Sequence, residues 1–189
     1  MIRVVARSGS QWQTLAKGYH SRVYDLQAGD IEGRGLDDIV VGLIQRTKLS
    51  TAIDRRIHVY AVDKGRGFRP RWRGSSLSYP FDSFIVATPL PGRGNRAVLI
   101  AAERNPLPEY SGFAVVTVYR WSGFGFTVDW QTPVRGQVRD IRPSKTGPQL
   151  FDFTQINGDV SRKLYVYSDP WHVETQAALP PRPIAREAL

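Results

Sequence analysis

The sequence predicts an all-β fold built from repeated groups of short antiparallel strands. Three observations carry that prediction. Runs rich in Val, Ile, Tyr, Phe and Trp (DIVVGL, RIHVYAV, FIVATPL, AVLIAA, AVVTVYRW, FTVDW and KLYVYS) are bounded by Gly, Pro, Asn or Asp clusters. No segment keeps a 3.6-residue apolar period over three turns. The strand pattern also repeats along the chain.

The repeat is clearest in two hairpins. IHVYAVDKGRGFRPRWRG (57–74) aligns with VTVYRWSGFGFTVDWQT (116–132): a Val-Tyr strand, a glycine turn, a Phe opening the next strand, and a Trp four residues later. IRVVARSGSQWQTLAKG (2–18) is a weaker copy and KLYVYSDPWHVETQ (163–176) a shortened one. Val5, Tyr60, Tyr119 and Tyr167 mark equivalent places. A further strand pair precedes each of the last three hairpins: RVYDLQAG with DIVVGL, SFIVATPL with AVLIAA, and QVRDIRPS with LFDFTQI.

Each unit thus supplies four short antiparallel strands in roughly 50 to 60 residues, the sequence form of a β-propeller blade. The reading is a single propeller-like domain over residues 1–176. It comprises a hairpin at 2–18 and blades at about 20–76, 82–133 and 136–176, giving a partial propeller of three blades plus an N-terminal hairpin. Residues 177–189, rich in proline, read as a surface tail. The alternative architecture is a β-sandwich.

Composition narrows the function classes. The chain has 189 residues, 41% of them hydrophobic and 23% charged, as expected of a globular domain. It has no cysteine, which removes disulfides, thiolate metal sites and thiol nucleophiles. No apolar run is long enough for a membrane-spanning helix. The N-terminus has no continuous apolar core and no small-residue cleavage site, so it does not read as a signal peptide; this favours the cytoplasm without fixing the compartment. With 26 basic and 17 acidic residues the formal charge is +9, which favours acidic or nucleic-acid partners.

The loop and strand DIEGRGLDDIVVG (30–42) resemble the D-x-[DN]-G-D-G-x-x-D-[IL]-V-V-G loop of FG-GAP propeller repeats, the integrin α-subunit and VCBS-like type. The resemblance is clear over residues 22–74, weaker over 82–132 and faint over 136–176. It implies a loop that follows the innermost strand of a blade and often holds calcium. The implied ligand positions fall here on Asp30, Glu32, Arg34 and Asp38. A guanidinium has no lone pair for calcium, which takes six to eight oxygens. The equivalent PLPGRGNRA places Arg93 and Ala97 at ligand positions. No metal and no cofactor is therefore expected. Arg34 is expected to take the cation's place, tied to Asp30 or Asp38, with Gly33 and Gly35 making the turn.

Other constellations are weighed against plain structural roles. GRGNRA (92–97) follows a strand but precedes another strand, not the helix a dinucleotide site needs. KGRGFRPRWR carries Lys64, Arg66, Arg69, Arg71 and Arg73. On a regular strand Arg69, Arg71 and Arg73 share one face about 7 Å apart, with Phe68 and Trp72 on the other. Such a row fits a polyanion or an acidic partner, or else a charged, solvated edge strand. His20, His58 and His172 follow no metal-ligand spacing, and His58, out of phase with Val59, reads as a surface side chain. Asp25 and Asp140 stand at matched places in two units, with Val86 as the match in the second. They are the only candidates for a catalytic pair. The tryptophans at 12, 72, 121, 130 and 171 read as packing between blades.

The sequence therefore points to a non-catalytic protein-interaction or scaffold module, a subunit of a larger assembly. One alternative is a basic polyanion- or nucleic-acid-binding protein, and a second is a propeller-based enzyme or lectin. Three blades do not close a ring. A protein partner or second copy is expected over the open ends, at Val5, Trp12 and Leu15 on one side and Tyr165, Tyr167 and Trp171 on the other.

Overall fold

The computed structural model describes residues 2–8, 10–18, 22–46, 51–63, 67–74, 77–87, 96–104, 112–143, 150–157, 160–168 and 171–175. At residues 4, 6–8, 12–13, 15–18, 139–140 and from 143 onward only the backbone is described. Among these residues there are fourteen strands and no helix. A two-stranded sheet holds β1 (Ile2–Ser8) and β2 (Gln11–Gly18). The first four-stranded sheet holds β3 (Val23–Gly29), β4 (Asp38–Gln45), β5 (Asp54–Asp63) and β6 (Gly67–Arg73). The second holds β7 (Phe81–Ala87), β8 (Val98–Arg104), β9 (Phe113–Trp121) and β10 (Phe126–Arg135). The third holds β11 (Gln137–Pro143), β12 (Leu150–Asn157), β13 (Val160–Ser168) and β14 (Trp171–Thr175).

Each four-stranded sheet is an antiparallel meander in chain order, so its first and last strands are edges. The prolines within strands, Pro70 on β6, Pro133 on β10 and Pro143 at the end of β11, all lie on edge strands, where a missing N–H is tolerated. The register repeats as well. Tyr60, Tyr119 and Tyr167 pair with Ile39, Leu99 and Leu150 at the start of each second strand. Every first strand carries a bulge near its start, between Val23 and Asp25, Phe81 and Ser83, and Val138 and Asp140.

The sheets stack face to face rather than closing into a barrel. One face of the first sheet (Ile31, Val40, Ile57, Val59) meets Phe81, Phe84, Leu99, Tyr119 and Trp121 of the second. The other face of the second sheet (Ile85, Ile100, Val116, Val118) packs on Val138 and Ile141 of β11. The N-terminal hairpin covers part of the first sheet's outer face, burying Ile2 against Val41, Leu43 and Tyr60. The middle sheet is thus apolar on both faces, which explains the unbroken apolar runs of β8 and β9 where a half-exposed strand would alternate. Each fully buried Val, Leu or Ile in these layers contributes about 1.5–3 kcal/mol. The expectation of an all-β fold of blade-like four-stranded antiparallel sheets holds.

Close approach between the first two sheets depends on Gly42. A Cβ there would lie 2.8 Å from Phe84 and 2.8 Å from Tyr24, whose rings meet edge to face at 6.3 Å.

Candidate functional site

The loop between β3 and β4 is built around Asp30. Its carboxylate accepts the backbone N–H of Arg34 at 2.8 Å and of Gly35 at 2.6 Å. That wrap is possible because Gly33 and Gly35 both take φ of 75°. The turn throws the Arg34 side chain back over the loop. Its Nε lies 2.6 Å from Glu32 and its Nη2 2.9 Å from Asp38. The guanidinium therefore lies between carboxylates, as the sequence suggested, with Asp38 and Glu32 as its side-chain partners and Asp30 held by the backbone. Asp38 is fully buried and its Oδ2 has no hydrogen-bond partner. Burial pushes its carboxyl above the ordinary range, and the Arg34 charge opposes that shift. Arg71 reaches the same Glu32 at 3.2 Å. Among the described residues no group of three or more His, Cys, Asp or Glu is placed to hold a metal.

The arginine row does not survive as a row. Val59 pairs with Trp72 but Tyr60 pairs with Pro70, so β6 bulges at Arg71 and the side-chain alternation resets. Trp72 packs toward the second sheet against Phe126, whereas Phe68 packs on Tyr60 at the opposite face. Arg69 binds Asp63 at 2.8 Å, Arg71 binds Glu32, and Arg73 lies by Tyr60. The single-face reading is thus corrected: the extra residue puts Arg73 on the Phe68 face and leaves Arg69 and Arg71 on the other, each with a carboxylate. Lys64 and Arg66 lie outside the described residues.

His58 is also placed differently from expectation. It does face away from Val59, but that face lies beneath the N-terminal hairpin, so His58 is buried. Its ring nitrogens lie 2.9 Å from the Gln45 side-chain nitrogen and 3.0 Å from the Tyr60 hydroxyl.

The bulges realign the candidate acidic pair. Asp25 and Asp140 each directly follow a bulged residue, and the second sheet's residue in that place is Ser83, not Val86. Asp25 Oδ1 accepts the N–H of Leu26 at 2.7 Å and the Gln27 amide at 3.1 Å, the local pattern of a strand-bending carboxylate. The Asp140 side chain lies outside the described residues.

Of the interface candidates, Val5 is 39% exposed. The side chains of Trp12, Leu15, Tyr165, Tyr167 and Trp171 lie outside the described residues.

Sequence reasoning missed Glu103, the last buried residue of β8. It accepts the Thr117 hydroxyl at 2.5 Å, the Tyr119 hydroxyl at 2.5 Å and the Tyr79 N–H at 3.1 Å. Burial raises its carboxyl above the usual range despite these donors. The Ser78 N–H donates in turn to the Tyr119 hydroxyl at 2.9 Å. This network ties the β7 approach to the middle of the second sheet. A lone Glu ending the apolar run AVLIAAE was its one sequence signal.

Among the described residues no helix is long and apolar enough to cross a membrane. No known family model, curated protein or solved structure matches this chain.

Proposed function

We propose that the chain is a non-catalytic interaction module, a subunit of a larger assembly, built as a partial propeller of degenerate FG-GAP type. One observation carries this reading. The second sheet buries both faces between neighbours, whereas the first sheet's outer face is only partly covered. Val23 and Leu26 of β3 remain exposed beside a two-stranded hairpin. Neighbouring exposed apolar side chains on the end face of a stack fit a protein interface. The engagement of Arg69 and Arg71 by Asp63 and Glu32 weighs against a free arginine row for polyanions. The local hydrogen bonds of Asp25 weigh against a catalytic carboxylate there.

Native mass spectrometry of the tagged chain, isolated from its own source at moderate salt, tests the reading. The expected result is a complex of defined stoichiometry, heavier than the 21.3 kDa chain. A monomer alone would overturn it.

A further inference from the structure

Leu26, Phe84 and Ile141 occupy one equivalent place, each following the bulge of a first strand. Phe84 is 1% exposed and Ile141 5%, but Leu26 is 47% exposed. The cause lies in the preceding unit. Phe84 is covered by Tyr24 and Gly42, on the first and second strands of the sheet before it. Ile141 packs in one cluster with Ile85 and Ile100, again on first and second strands of the preceding sheet. The unit before β3 has only the hairpin, which lies over β5 and β6. Among the described residues no strand covers Leu26. Val23, 37% exposed, and Ala28 share its face, paired with Leu43 and Ile39. The hairpin is also incomplete at the backbone. Among the described residues β1 pairs only with β2, leaving a row of N–H and C=O groups on its second edge, and its Ile2 packs on Val41 and Leu43 of β4, the strand next to β3.

We propose that a pair of extended, acidic strands from another protein adds to the free edge of β1 and lies over Val23, Leu26 and Ala28. This completes a four-stranded sheet. The inference rests on the interaction-module reading and names how that module takes its partner: main-chain pairing gives the register, and apolar side chains on one face meet Leu26.

Charge sets the partner's chemistry. Arg3 on β1, Arg22 before β3 and Arg46 after β4 are exposed and form no ion pair with another described residue. The carboxylates of β3 to β5 are already engaged: Asp25 by Gln27, Asp38 by Arg34, Asp54 by Arg104 and Asp63 by Arg69. The rim thus offers three arginines against a single carboxylate, Asp25, whose Gln27 partner is neutral. A second copy does not fit. Its β3 to β14 are already in complete sheets. Antiparallel pairing of β1 with its own copy about a two-fold axis would put both first sheets on the same side of the joint sheet, in the same space.

The test uses the full chain and two synthetic hairpin peptides with Asn-Gly turns, valine on one face and either glutamate or lysine on the other. Binding is read by calorimetry and by hydrogen exchange of the Ile2–Ser8 amides. The glutamate hairpin should bind at least about tenfold more tightly than the lysine one and should protect the β1 amides. Leu26→Ser, an exposed substitution, should weaken binding about tenfold while β8 and β9 stay protected. Should that variant misfold, Arg3→Glu with Arg22→Glu should instead reverse the preference between the peptides. No binding at millimolar peptide, binding without β1 protection, or equal affinity for both peptides would overturn the proposal. So would a dimer of this chain that Leu26→Ser dissociates, an outcome that leaves the interaction-module reading standing.

Discussion

The Arg34 guanidinium donates to Asp38 at 2.9 Å across a carboxylate that solvent does not reach. Its significance lies in the asymmetry of buried charge: the pair is tolerated, but either member alone is not. Arg34→Ala should lower stability by about 2 kcal/mol, since it leaves Asp38 buried without its cation. Asp38→Asn in the same chain should recover most of that loss. Urea unfolding of the two variants checks both statements, and additive losses would show that the residues do not act as a pair.

With a guanidinium already between Glu32 and Asp38, a divalent ion has no place to enter without displacing it. The melting temperature should be the same in EDTA and in millimolar calcium. A calcium-dependent rise of several degrees would contradict the arginine's role.

Glu103 gives a pH dependence of defined sign. Its native pKa is raised, so the folded state holds the proton more tightly than the unfolded chain. Stability contributed by this group is therefore present below the ordinary carboxylate value of about 4 and is lost as pH rises through the raised native value. Asp38 acts in the same direction. Glu103→Gln should flatten this slope and leave stability at neutral pH unchanged or higher, read from chemical unfolding at a series of pH values. A slope identical to that of the unmodified protein would show that Glu103 is ionised in both states.

The sequence made the strands, their fourfold grouping and the wrapped loop legible, because all three are local. Apolar β-branched runs, glycines at positive φ and a Val-Tyr repeat each leave their mark within a few residues. The bulge at Arg71 was not legible. Two residues opposite one is a property of the pairing with Val59 and Tyr60, and only the neighbouring Pro70, unable to join a ladder, hinted at it. His58 was misread for a related reason: the face it shares with Tyr60 is polar enough to be surface, and only the position of the hairpin buries it. The exposure of Leu26 belongs to the same class. It is visible only against Phe84 and Ile141, once the bulges have set the alignment.

The split arginine row predicts unequal effects of charge reversal. Arg69→Glu alters an exposed, solvent-screened pair with Asp63 and should leave the urea midpoint nearly unchanged. Arg71→Glu sets a second carboxylate against Glu32 in a half-buried site and should cost about 2–3 kcal/mol. Equal small losses would mean that Arg71 is not held by Glu32 in solution.

Gly42→Ala tests the stacking of the first two sheets. The added methyl would meet both Phe84 and Tyr24, so a loss of about 1–3 kcal/mol is expected from thermal or urea unfolding. A neutral substitution would mean that the sheets sit farther apart.

The central claim is that the first sheet and the hairpin are completed by another chain, and hydrogen exchange on the isolated protein beside its native complex tests it most directly. In the isolated chain, amides of β1 and β3 should exchange far faster than those of β8 and β9, and in the complex β1 and β3 should become protected while β8 and β9 change little. A monomer whose β1 and β3 amides are already as protected as those of β8 and β9 would contradict the account.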